Sequence, residues 1–136
     1  MSLTAEEKQV MRDLHLSKAS TCLQDADSNF ANGALSTAAN RYYYAVFHAV
    51  HALFVTDGYY SRTHNGLNAL FSLHYIQTGL FDTKFGRFIS VMENLRDKAD
   101  YDVMYDVTVS TLSEIQPLTR ELIQAVQVYL STKSTE

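Results

Sequence analysis

Residues 34–56 read ALSTAANRYYYAVFHAVHALFVT, and Arg41 is the only charged side chain among them. At 100° per residue Leu35, Ala39, Tyr42, Val46, Ala49, Val50 and Leu53 gather on one broad apolar face. Arg41, Tyr44, His48 and His51 share roughly the opposite face. A helix this apolar belongs at the centre of a bundle or in a subunit interface. Its apolar surface exceeds what one neighbouring helix can cover, which predicts a two-fold symmetric homodimer.

The chain on either side also reads as helix. Thr4 and Glu7 have the spacing of a capping box, so a first helix is expected from Thr4 to about Asn32, stopped by Gly33. Its stripe is Leu16, Ala19, Leu23, Ala26 and Phe30. Beyond a turn at Asp57–Arg62, a short helix is expected over about 63–78, ended by Gly79. Asp82 caps a fourth helix whose stripe is Phe85, Phe88, Ile89, Met92, Leu95 and Ala99. Arg87, Ser90, Glu93, Asn94, Asp97 and Lys98 are expected to face water. Arg96 breaks the pattern, because it falls inside the stripe and so needs a partner.

Residues 100–110 read as a connection, and a last helix carries Leu112, Ile115, Leu122, Ile123, Val126, Tyr129 and Leu130 on one side. Pro117 either lies in the first turn of a helix starting near Gln116 or kinks a longer one. The expected fold is all-α: an antiparallel up-and-down bundle of about five helices, one domain over residues 1–136.

Composition agrees. In 136 residues there are five glycines and one proline, too few turn formers for a many-stranded β fold. A net charge of −4 argues against a protein that coats nucleic acid nonspecifically, and no DNA partner is expected. Cys22 is the only cysteine, which excludes an intrachain disulfide and a multi-cysteine zinc cage. With no basic leader and no long apolar run, a cytoplasmic location is expected and no membrane is implied.

No phosphate-binding glycine loop, G-x-S-x-G or H-E-x-x-H occurs, and no cofactor or metal is called for. Two features carry chemistry. One is Arg41-Tyr42-Tyr43-Tyr44-Ala45-Val46-Phe47-His48, with arginine and histidine on one helix face. The other is Arg96-Asp97-Lys98-Ala99-Asp100-Tyr101 near a helix end. Structurally, Arg96 would pair with Asp100 at i, i+4, and Tyr101 would close the helix end. Functionally, the two arginines would meet in one cleft and hold a phosphate, whose oxygens match the guanidinium fork.

Residues 34–54, then Gly58, His64 and Gly66, "TGLFD" at 78–82 and "LRDKADYD" at 95–102 together resemble the HEPN superfamily. The likeness is to its short single-domain prokaryotic branch, with R-x-Y-Y-A and R-x-x-A-D-Y motifs. The resemblance implies a helical homodimer in a toxin–antitoxin or related defence or stress module, partnered in many cases by a minimal nucleotidyltransferase. It also implies metal-independent RNA cleavage where R-x(4–6)-H stands on a late helix. There the arginine steadies the scissile phosphate and the histidine moves protons.

Here Asp100 follows Arg96 where that histidine would stand, and no histidine lies beyond it. A carboxylate beside an arginine can take a proton but hardly gives one at neutral pH. Arg41 and His48 fit the letter count but lie on an early helix. The expected site is therefore a cleft lined by Arg41, Tyr44, His64, Arg96, Asp100 and Tyr101 that binds RNA, a nucleotide or a partner protein. Little cleavage is expected. If the protein is a metal-independent endoribonuclease, the candidates are Arg96 and Asp100 with His64 or His48, and His51 as a further proton shuttle. A non-catalytic adaptor bundle is the third reading.

Overall fold

In the computed structural model, which describes residues 3–61 and 64–133 apart from the side chains of residues 64 and 65, side-chain caps mark where three of the helices begin. The Thr4 hydroxyl accepts from Glu7 N, and the Glu7 carboxylate accepts from Thr4 N, starting α1 (Ala5–Ala31). Gly33, at φ +80°, turns the chain into α2 (Leu35–Asp57), and Gly58, at φ +83°, ends that helix in the left-handed conformation.

α3 (His64–Phe71) runs on into a π-helical segment, Ser72–Ile76. Asp82 then caps α4 (Thr83–Tyr101) by accepting from Lys84 N at 2.9 Å. Asn68 donates to Ser90 at 2.6 Å, and Ile76 abuts the bare backbone of Gly86. The α3 and π segments therefore descend along α4 antiparallel to it. α5 (Val109–Ser131) starts at a cap on Thr108, so Pro117 lies inside a longer helix and not in a first turn near Gln116. The ring removes one rung of the helix ladder there.

All five helices contribute to a single core. α2 is its axis, packed against α1, α4 and α5, with Ala39, Tyr42, Val46, Ala49, Val50 and Leu53 almost wholly buried. The apolar excess that pointed to a second copy is thus covered by three helices of the same chain. Among the described residues there is no strand, and no helix is long and apolar enough to cross a membrane.

One side of α2 stays half-exposed: Asn40, Arg41, Tyr44, Phe47, His48 and His51, at helical spacing. This stripe carries the polar chemistry of the molecule. It lies open because α1 and α4 flank it without closing over it.

Candidate functional site in the cleft between α2 and α4

Arg41 and Arg96, from different helices, stand on one tyrosine. Their guanidinium carbons lie 5.3 and 5.9 Å from the Tyr44 ring centroid. Arg96 also lies 5.5 Å from the rings of Tyr43 and Tyr101, so three aromatic faces surround one cation. Its Nη2 approaches the hydroxyls of Tyr44 and Tyr101, both at 3.4 Å. The sequence pattern put Arg96 inside an apolar stripe; aromatic rings are the physical answer to that position.

The acidic side of the cleft is shared. Arg96 Nη1 is 3.3 Å from Asp97 Oδ1, and Nε is 3.5 Å from Asp100 Oδ2, the expected i, i+4 pair. That same Asp100 oxygen accepts from Asn40 Nδ2 at 3.0 Å. Asn40 Oδ1 in turn accepts from Arg41 Nη2 at 2.7 Å and Nε at 3.1 Å. A polar chain Arg41–Asn40–Asp100–Arg96 therefore spans both helices. Burial opposes the Arg96 charge, but Tyr44, Tyr101, Tyr43 and Asp100 outweigh it and hold its pKa above the ordinary value. Tyr101 does not close the helix end by burial, being 71% exposed; it lies as an open platform under the guanidinium.

Glu93 does not face water. It is half-buried, one turn before Arg96, and burial with the Asp97 charge nearby lifts its pKa to about 7. Among the described residues, two buried side-chain polar atoms lack a hydrogen-bond partner: Glu93 Oε1 and Arg96 Nε. The 3.5 Å approach of Asp100 to Nε is an ion contact without hydrogen-bond geometry. Buried polar atoms are nearly always satisfied, so two such orphans one helical turn apart mark this cleft.

The remaining candidates lie elsewhere or are otherwise engaged. His48 Nδ1 is 3.1 Å from His15 Nδ1 on α1, and burial, with His15, His51, Lys18 and Arg41 around it, lowers its pKa to about 4. It is neutral at pH 7. His51 Nδ1 meets the carbonyl of Phe47 at 2.9 Å. Among the described residues no group of three ligating side chains is disposed to hold a metal ion. Cys22 is a buried core residue whose thiol pKa burial raises. His64 opens α3, but its side chain lies outside the described residues. A cavity of about 480 Å³ beside Met11, His15, His51, Phe54 and Tyr59 contains neither arginine.

The chain matches the HEPN domain model over residues 13–129. The chain belongs to the HEPN domain family. It is 34% identical over 95 residues to a UPF0332 protein of Thermotoga maritima, covering 70% of this chain and 72% of that one. Two proteins of Methanocaldococcus jannaschii, each named "putative toxin", are similar as well. One is 38% identical over 72 residues (53% of this chain, 54% of the relative), the other 28% over 109 residues (79% and 74%).

In this HEPN chain, reading the sequence missed three residues of the polar stripe and cleft. Asn40 was findable, since it stands one turn before Tyr44 on the face of Arg41. Glu93 and His15 were not, because an acid or histidine at a polar wheel position carries no sign of what covers it.

Proposed function

We propose that this HEPN protein is the toxin-like member of a two-component module and binds single-stranded RNA in the cleft of Arg41, Tyr44, Arg96, Asp100 and Tyr101. The observation that carries this is the pair of guanidiniums, from two helices, gathered around Tyr44. Two such forks suit phosphate oxygens, and exposed Tyr101 offers a face for an unstacked base. Toxin-named relatives support the module, and a minimal nucleotidyltransferase is the partner proposed. A second copy is proposed to cover the exposed Val103 and Met104 just beyond the end of α4. Light scattering at tens of micromolar should then give twice the chain mass; a monomer would remove the homodimer.

The test of binding is fluorescence anisotropy with a labelled single-stranded RNA at several salt concentrations. Two phosphate contacts predict a log–log salt slope of about −1.4. Arg41→Ala and Arg96→Ala should each weaken binding and flatten that slope, and His64→Ala tests the remaining cleft candidate. Salt-independent binding, or none, would sink the proposal.

A further inference from the structure

We propose that the cavity between the start of α1 and the end of α2 binds a small aromatic monocarboxylate, Lys8 holding the carboxylate and a wall of rings holding the body. The site is separate from the arginine cleft and does not depend on the RNA reading.

The walls are in place before a guest enters. The cavity measures about 480 Å³, within the range of roughly 300–1,000 Å³ that small-molecule sites occupy. Each ring lining it is fixed by a partner. His15 Nδ1 meets His48 Nδ1 at 3.1 Å, and His51 Nδ1 donates to the carbonyl of Phe47 at 2.9 Å. Tyr59 lies flat on His74, with ring centroids 3.7 Å and planes 10° apart. Phe54, 2% exposed, packs against both His51 and Tyr59, with centroids 5.7 and 6.4 Å away. Rings held this way lose little freedom on binding, and they reward a flat aromatic guest with stacked and edge contacts that an aliphatic chain does not make. Met11 adds a thioether, which also favours a ring.

The anionic end follows from charge. Lys8 lines the cavity half-buried, and no acid lines it with Lys8. Among the described residues the Lys8 ammonium is in no ion pair. Its neighbour Glu7 is engaged by Thr4 N. Burial first, and then His51, lowers the pKa of His15, so at pH 7 that ring offers hydrogen bonding and no charge. One point charge in a ring-lined cavity matches a monoanion. A phosphate is better served by guanidinium forks, and neither Arg41 nor Arg96 lines this space. A cationic guest would meet Lys8 and no counter-charge.

Calorimetric titration of the full chain with benzoate, phenylacetate and indole-3-acetate tests the site. At least one should bind with a dissociation constant below about 1 mM. Indole-3-acetamide, the same body without the charge, should bind about tenfold more weakly than indole-3-acetate. Lys8→Met should weaken the acid about tenfold and leave the amide within about threefold, while Lys8→Arg keeps both. Met11→Trp, which fills the cavity with a ring of its own, should abolish binding. Where circular dichroism shows that a variant does not fold, the unaltered protein still decides: the ring-proton NMR signals of His15 and His51 should move during titration. No binding by any of the three acids, equal weakening of acid and amide in Lys8→Met, full binding by Met11→Trp, or stationary histidine signals would overturn the site. Phenyl phosphate binding more tightly than benzoate would overturn the carboxylate assignment.

Discussion

The hydroxyl of Tyr42, a side chain with no solvent exposure, donates to Asp27 Oδ1 at 2.6 Å and ties α2 to α1. The same carboxylate takes Gln116 Nε2 at 2.8 Å and Arg120 Nη2 at 2.7 Å from α5. Three helices are pinned to one acid. Asp27→Ala strands a buried phenol and an amide, which should cost roughly 2–4 kcal/mol, whereas Tyr42→Phe removes one bond and should cost about 1 kcal/mol. Arg120 is half exposed and should matter least. Urea melts of the single and double variants measure the coupling, and a loss below about 0.5 kcal/mol for Asp27→Ala would refute the pin.

The paired imidazoles of His15 and His48 predict sensitivity to acid. Both folded pKa values are lowered from 6.5, His48 to about 4, by burial first and then by neighbouring cations and imidazoles. Below pH 6.5 the unfolded chain binds more protons than the folded one, so stability falls as pH drops from 6.5 towards 4. The rings are partly exposed, so the loss should be only about 1–2 kcal/mol after allowing for solvent screening. His48→Gln should flatten the fall in melting temperature between pH 6.5 and 4. An unchanged slope would show that the pair does not titrate with folding.

Glu93 pulls the other way. Its folded pKa is raised from 4.5 to about 7, first by burial and then by Asp97. Between those values the folded state holds more protons, so stability contributed below pH 4.5 is lost as pH rises through 7. Glu93→Gln should therefore leave the protein unchanged at pH 4 and more stable at pH 8, on the order of 1 kcal/mol after screening. Equal stability at pH 8 would mean the carboxyl is better solvated than its burial implies.

Arg96→Ala separates holding the fold from holding a ligand. The guanidinium side chain is 18% exposed, and Asp97 and Asp100 are 64% and 25% exposed, so neither acid is left in a sealed interior. Asp100 also keeps Asn40. Chemical melts should show a loss of about 1–2 kcal/mol, part of it from lost packing on Tyr43 and Tyr44. RNA binding should drop at least tenfold. A loss above about 3 kcal/mol with RNA binding intact would make Arg96 a structural residue.

The sequence by itself determined the helices, because caps, left-handed glycines and 3.6-residue periodicity act within a few residues. Thr4, Asp82 and the Leu35-to-Leu53 face all stand as their local chemistry requires. It also brought out both arginines, Arg96 as a charge inside an apolar stripe and Arg41 as the only charged side chain in residues 34–56. What surrounds them was decided only by tertiary packing. Whether Pro117 began or interrupted α5 depended on the cap at Thr108 and on the core that Leu112 and Ile115 join. What covers the broad apolar face of α2 depended on α1, α4 and α5 packing against it. The protonation of Glu93 and the pairing of His15 with His48 depend on how much water each keeps. Desolvation is a property of neighbours distant in the chain, and no spacing of residues along one helix encodes it.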